Sequence, residues 1–152
     1  MQINIYSITK KDISYQALQE ELCMQCKQFG AQITHFDFFS QAIKNAQKIS
    51  PNKAQQSYTQ AFLPHLNSAG LNIALTPEGK SYDSVQFAHF IESHNLVQFF
   101  IGGAYGLEQS FIKLTHAMSL SAMTFSHKIA KIVLCEQIYR ALSILSSHPY
   151  HK

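Results

Sequence analysis

Residues 96–101, Leu-Val-Gln-Phe-Phe-Ile, form a nearly continuous apolar run that ends on Gly102 and Gly103. A strand that is apolar at consecutive positions turns side chains to both faces of its sheet, so the run predicts a sheet covered on both sides. Other β-prone runs alternate with helical ones along the chain. Gln2–Ile8 alternates with Ile3, Ile5 and Ile8 as the candidates for the inward side. Asp12 stands where it would cap a helix over Ile13–Gln28, striped by Ala17, Leu18, Leu22 and Phe29 and ended by Gly30. Ala31–Phe39 is β-prone. Ser40–Leu66, rich in Gln and Lys and interrupted by Pro51 and Pro64, reads as one or two exposed helices with a loop near Ser50–Asn52. Leu71–Leu75 reads as a short buried strand, Pro77-Glu-Gly79 as a turn and Ser84–Ser93 as a helix. Phe111–His116 reads as a short helix, Met118–Phe125 as a strand or loop, and Lys128–Ser146 as a long helix. This order predicts one α/β domain over residues 1–152 with a largely parallel sheet.

Composition narrows the class. Hydrophobic residues make up 46% of the chain and charged ones 14%, which excludes intrinsic disorder. No apolar run approaches the ~20 residues of a membrane helix. The N-terminus lacks the basic and apolar regions of a secretory signal, so a soluble cytoplasmic protein is expected. The three cysteines suit a reducing compartment. Cys23 and Cys26 form a Cys-x-x-Cys late in the first helical stretch, where a redox pair is out of place. They read as residues on neighbouring helix turns, and with Cys135 lacking a second pair no metal site is expected. The net charge of +3 is uneven. Residues 1–109 sum to −1, whereas residues 110–152 carry Lys113, Lys128, Lys131, Arg140 and Lys152 against Glu136 alone. A basic end of this kind can attract a polyanion.

Open parallel sheets bind ligands at the carboxyl ends of their strands. Two such ends stand out, Leu75 followed by Thr76-Pro-Glu-Gly-Lys80, and Ile101 followed by Gly-Gly-Ala-Tyr-Gly106. Glycines after a buried strand serve either a tight turn or close approach of backbone amides to a ligand. The pattern is neither a dinucleotide fingerprint nor a phosphate loop. Leu120-Ser-Ala-Met-Thr-Phe125 is small, apolar and hydroxyl-bearing, suited to an adenine wall or to an ordinary core strand. On the last helix, Leu134, Ile138, Ala141, Leu142 and Leu145 share one face, and Glu136, Arg140, Ser143 and Ser147 the opposite one. Glu136 and Arg140 have the spacing of an ion pair, and Arg140 is the only arginine. The chain ends His148-Pro-Tyr-His-Lys152, which is either a disordered tail or a source of base, stacking ring and phosphate contact. No hydrolase constellation is present.

Taken together, Ile101-Gly-Gly-x-x-Gly-Leu107, Leu120-Ser-x-x-Thr124 followed by His127, Glu136-Gln-x-Tyr-Arg-Ala141 and His148-Pro-Tyr-His-Lys152 occur in an order and spacing that resembles the RlmH family. These are pseudouridine N3-methyltransferases of bacterial large-subunit ribosomal RNA, in the SPOUT superfamily. The resemblance covers the whole length and is densest from Leu96 to Lys152. It implies a SPOUT-type parallel sheet flanked by helices with a C-terminal trefoil knot, an exception to the rarity of knots. It also implies bound S-adenosylmethionine, a homodimer with the site at the subunit interface, and 23S ribosomal RNA of the large subunit or assembled ribosome as substrate. No metal and no membrane are implied. Carried over by motif, Leu75, Gly102, Gly103, Leu120, Ser121, Ala122, Met123, Thr124 and Phe125 would hold the cofactor. Arg140, Tyr150, His151 and Lys152 would face the RNA, and Arg140, His148, Tyr150 and His151 are the catalytic candidates, with either histidine as base. The chain departs from the family pattern at Ser126, where relatives carry Pro, at Thr76, where an acid is common, and at Ile8-Thr-Lys10, where a glycine is usual. Lys152 replaces an arginine that ends some relatives. The competing readings are a non-catalytic ribosome- or RNA-binding α/β protein and a small nucleotide-binding domain of flavodoxin type.

Overall fold

The computed structural model describes residues 1–151; Lys152 lies outside the described residues. Five parallel strands form one sheet in the order β2-β1-β4-β3-β5: β1 Gln2–Ile8, β2 Gln32–Phe38, β3 Leu71–Ser81, β4 Leu96–Ile101 and β5 His116–Ser119. Between them run α1 Ile13–Cys26, α2 Gln41–Ile49, α3 Pro51–Phe62, α4 Ser84–Glu92 and α5 Gln109–Ile112, and α6 His127–Leu145 follows the last strand. The α/β class and the parallel sheet are as the alternation predicts.

Strict alternation along the central strands builds two cores. Ile3, Ile5, Ile73, Val97, Phe99 and Ile101 face one side, where Leu134, Cys135, Ile138 and Leu142 of α6 join residues of α1 and α4. Tyr6, Ile8, Ala74 and Phe100 face the other, against Ile43 of α2, Ala54, Tyr58 and Phe62 of α3, and Phe111 of α5. Residues 40–66 are therefore not the exposed helices expected from their Gln and Lys content. Their few apolar residues fall on one stripe, and that stripe closes a whole face of the sheet.

Local chemistry sets the helix ends. The Asp12 carboxylate accepts from the Ser14 amide at the start of α1, and Gly30, at φ 72°, ends the turn that follows it. Ser50 accepts from the Lys53 amide and Pro51 opens α3, so one residue both ends α2 and starts α3. Asp83 and Gln86 form a reciprocal capping box at α4. Leu18 is 46% exposed and departs from the predicted stripe of α1.

Pro77-Glu-Gly79 is not a turn between elements. β3 runs through it and pairs with β5 twice, Leu75 and Lys80 both standing opposite Met118, so residues 76–79 form a wide bulge. Gly79 passes against the β5 backbone, and a Cβ there would lie 2.5 Å from the Met118 N and C atoms. Gly79→Ala should therefore destabilise the fold by about 2 kcal/mol or more, as overpacking against backbone does. Gly30→Ala, with nothing near its Cβ, should cost only the ~1 kcal/mol of a left-handed alanine. Urea unfolding of both variants checks the difference, and equal losses would contradict it.

Candidate active site

A cleft of about 500 Å³ opens at the carboxyl ends of β3, β4 and β5. Leu75, Thr76 and Pro77 wall it from the bulge, Gly102, Gly103, Ala104 and Gly106 from the loop after β4, and Leu120, Ser121, Met123, Thr124 and Phe125 from the segment before α6. Eight of the nine residues expected to hold a cofactor thus meet around one space; Ala122 is the exception and does not line it. Spacing arguments missed Ser126, His127 and Ala130, which bring the first turn of α6 to the cleft. The Ser126 hydroxyl accepts from the Ile129 amide, so the departure from Pro supplies a helix cap. Burial, then the Lys128 ammonium, pull the His127 pKa below its ordinary value, which favours a neutral imidazole in the cleft wall. Thr76, standing where relatives carry an acid, donates its hydroxyl to the carboxylate of Glu78, holding an acid two residues further on.

The glycine loop is shaped by its own packing. Gly106 lies at φ 70° and its amide donates to the Gly103 carbonyl at 3.0 Å. A Cβ on Gly102 would meet the Gly106 backbone at 2.9 Å, and one on Gly103 would meet the Tyr58 hydroxyl at 2.8 Å and Ile8 at 3.0 Å. Gly103 therefore touches the cleft with its backbone while its missing side chain would point into the second core. A bulky residue there would disturb the fold as well as any ligand.

The tail candidates gather at the other end of α6. Its 19 residues span about 28 Å at ~1.5 Å per residue. The helix ends in a Schellman motif: the His148 amide donates to the Ser143 carbonyl at 2.9 Å and the Ser147 amide to that of Ile144 at 3.1 Å. Ser147 takes the left-handed position at φ 52°, where glycine is usual. This reversal folds the tail back on the helix. Arg140 gives Nε and Nη2 to one Glu136 oxygen at 3.0 and 2.7 Å, the Tyr150 hydroxyl donates to the same oxygen at 3.2 Å, and the guanidinium lies 4.8 Å from the Tyr150 ring centre. Desolvation, then the Glu136 charge, raise the Tyr150 pKa, so the phenol keeps its proton. The Tyr150 amide donates to His148 Nδ1 at 3.3 Å, and the His148 ring stands edge-on to Phe29 at the amino edge of the sheet. His151 Nδ1 is buried without a partner among the described residues. Ser143, expected on the polar stripe, is fully buried and donates to the Tyr139 carbonyl at 2.8 Å.

The basic segment is largely neutralised from within. Lys128 pairs with Asp12, Lys131 with Asp37 at 2.6 Å and Arg140 with Glu136 at 2.7 Å. The charge asymmetry of the sequence therefore does not become a basic face of the same size.

The family model described as "Predicted SPOUT methyltransferase" matches residues 1–151. Among relatives named ribosomal RNA large subunit methyltransferase H, the Helicobacter hepaticus protein is 67% identical over the full length of both chains. Those of Helicobacter acinonychis and Helicobacter pylori strain 26695 are 52% and 50% identical, also over the full length of both. With the motifs seated around a carboxyl-end cleft, these matches show that the chain belongs to the SPOUT methyltransferase family.

Proposed function

We propose that the protein is a homodimeric, S-adenosylmethionine-dependent methyltransferase that methylates N3 of a pseudouridine in 23S ribosomal RNA, on the large subunit or assembled ribosome in the cytoplasm. The names of the relatives support ribosomal RNA as substrate. The observation that carries the reading is the separation of the two residue groups. The cleft lies at the carboxyl edge of the sheet beside His127, and the tail packs on Glu136 and Arg140, about 14–20 Å further along α6. Within one chain a donor in the cleft cannot reach a base in the tail. A second copy packed antiparallel about a two-fold axis brings each tail to the other's cleft, which makes the site a property of the dimer. Membership of the SPOUT methyltransferase family supports a knotted C-terminal part.

The cleft suits the cofactor. Its volume falls in the range of small-molecule sites, its walls are mostly apolar, and Ser121, Thr124 and the glycine-loop backbone offer the few polar contacts that fix orientation. The bound sulfonium supplies the electrophilic methyl group. The protein's own task is to place N3 of the imide in line with that methyl and to take its proton. Glu136 occupies two of the five guanidinium N–H groups of Arg140, leaving the others for the ring carbonyl on which charge develops. Tyr150 keeps its proton and its amide engages His148. That leaves His151 as the base this geometry favours, with Tyr150 as a stacking platform.

Calorimetry should find one S-adenosylmethionine bound per chain; no binding at millimolar ligand would contradict the assignment of the cleft. Deleting Tyr150–Lys152 should leave that affinity nearly unchanged and cut methyl transfer by about 100-fold or more. Tyr150→Phe keeps the ring face and should lose at most about tenfold, the scale of one hydrogen bond. The deficit of His151→Ala should shrink as pH rises, because the imide then ionises unaided. A deficit that stays constant with pH would exclude His151 as the base.

A further inference from the structure

Cys135 stands alone in the sequence, but the fold sets it beside Cys23. Cys23 of α1, His35 of β2 and Cys135 of α6 bring their Sγ, imidazole nitrogen and Sγ atoms within 4.8 Å of one another, with Cys23 Sγ and His35 Nε2 at 3.1 Å. We propose that these three side chains form a binding site for a thiophilic d10 divalent cation of the zinc type, placed away from the methyl-transfer cleft.

The donor set fits such an ion. Two thiolates and a neutral imidazole match its softness and cancel its charge of +2. Zn–S bonds of about 2.3 Å and Zn–N bonds of about 2.0 Å put tetrahedral ligand atoms about 3.5–3.8 Å apart. The cluster brackets that spacing, so side-chain adjustments suffice. His35 Nδ1 is buried without a partner among the described residues, and Nε2 is the nitrogen that faces the sulfurs.

The surroundings favour thiolate over thiol at Cys23. The Cys135 thiol, the His35 ring and the nearby Lys131 ammonium all stabilise the charge, against desolvation, and pull its pKa down to about 5. Cys135, fully buried beside Cys23, has its pKa raised and keeps its proton while the site is empty. Binding displaces the Cys135 proton to solvent and shifts the His35 proton from Nε2 to Nδ1, and both sulfurs and Nε2 then give lone pairs to the ion. Lys131, 3% exposed, is paired with Asp37, which also accepts from Ser7 at 2.5 Å. That pair is electrically neutral, so the loaded site adds no uncompensated charge to the interior. A second cleft of about 270 Å³, lined by His35, Asp37 and Lys131 among others, reaches the imidazole from solvent. It gives the ion an entry path and supplies a water for the fourth position. Cys26, the other half of the Cys-x-x-Cys, lies outside the cluster, fully buried with its thiol pushed up to about 12 by burial. The loaded site would clip α1 and β2 to the middle of α6, one residue before the Glu136 that holds Arg140 and Tyr150.

The test uses full-length protein, reduced with a phosphine, stripped with a chelator and titrated with Zn²⁺ alone. The expected result is one equivalent retained through gel filtration by elemental analysis, with the melting temperature raised by about 5 °C or more. Cys23→Ser, Cys135→Ser and His35→Gln should each lose the metal, and Cys26→Ala should keep it. Because the Cys135 variant removes a core thiol, Co²⁺ loaded into the unmutated protein gives a second readout. Thiolate-to-cobalt charge transfer with tetrahedral d–d bands supports the site. Retention below ~0.1 equivalent, retention that survives both Cys23→Ser and Cys135→Ser, or a Cys23–Cys135 disulfide in a protein that never takes up metal would overturn it.

Discussion

The residue that ties the most of this structure together is the buried cation of α6. Lys131 reaches from the helix to Asp37 at the end of β2, and Asp37 in turn accepts from Ser7 near the end of β1. Two strand ends and the last helix are thereby fixed by one charge pair in a place where an unpaired charge would be costly. With α6 held there, its first turn meets the carboxyl edge of the sheet and its last turn meets the amino edge. On the proposed reading the cofactor cleft sits at the first of these ends, and the tail turns back from the second. The cleft is built where β4 and β5 stop and the bulge interrupts β3, so that backbone amides are free of the ladder. The tail is built where a left-handed Ser147 reverses the chain.

Charge distribution follows from the same arrangement. Lys128, Lys131 and Arg140 carry most of the positive charge of the last third of the chain, and all three are answered by acids. Binding to RNA by counterion release scales with the phosphates neutralised. On the proposed reading, a surface with so much of its charge already paired selects its substrate largely by shape and by the few groups of the tail. This suits a folded ribosomal surface better than an isolated strand.

Much of this was readable from residue order. The Leu96–Ile101 run announced a sheet covered on both faces, Asp12 and Gly30 marked the ends of α1 and the turn after it, and the motif residues around Gly102 and Leu120 did converge on one cleft. Three features were not legible, each for a long-range reason. The stripe of Ile43, Ala54, Tyr58 and Phe62 is diluted by Gln and Lys, and only its packing on Phe100 reveals a second core. Pro77-Glu-Gly79 has turn chemistry but lies within a strand, because β5 pairs on both sides of it. Cys135 acquires Cys23 and His35 as neighbours only when α1, β2 and α6 meet. The distance between cleft and tail was likewise hidden, since the motif residues are close in sequence and α6 carries them apart.

The central claim is that one active site takes its cleft from one chain and its tail from another. A heterodimer of two inactive subunits tests it directly, one lacking Tyr150–Lys152 and the other carrying Thr124→Trp to fill the cleft. Purified through two different affinity tags, that heterodimer holds one intact cleft and one intact tail, on different chains. The account predicts that it regains about half the methyl-transfer rate of the unmodified dimer, since one of two symmetric sites is complete. A heterodimer as inactive as either parent would contradict it and return the site to a single chain.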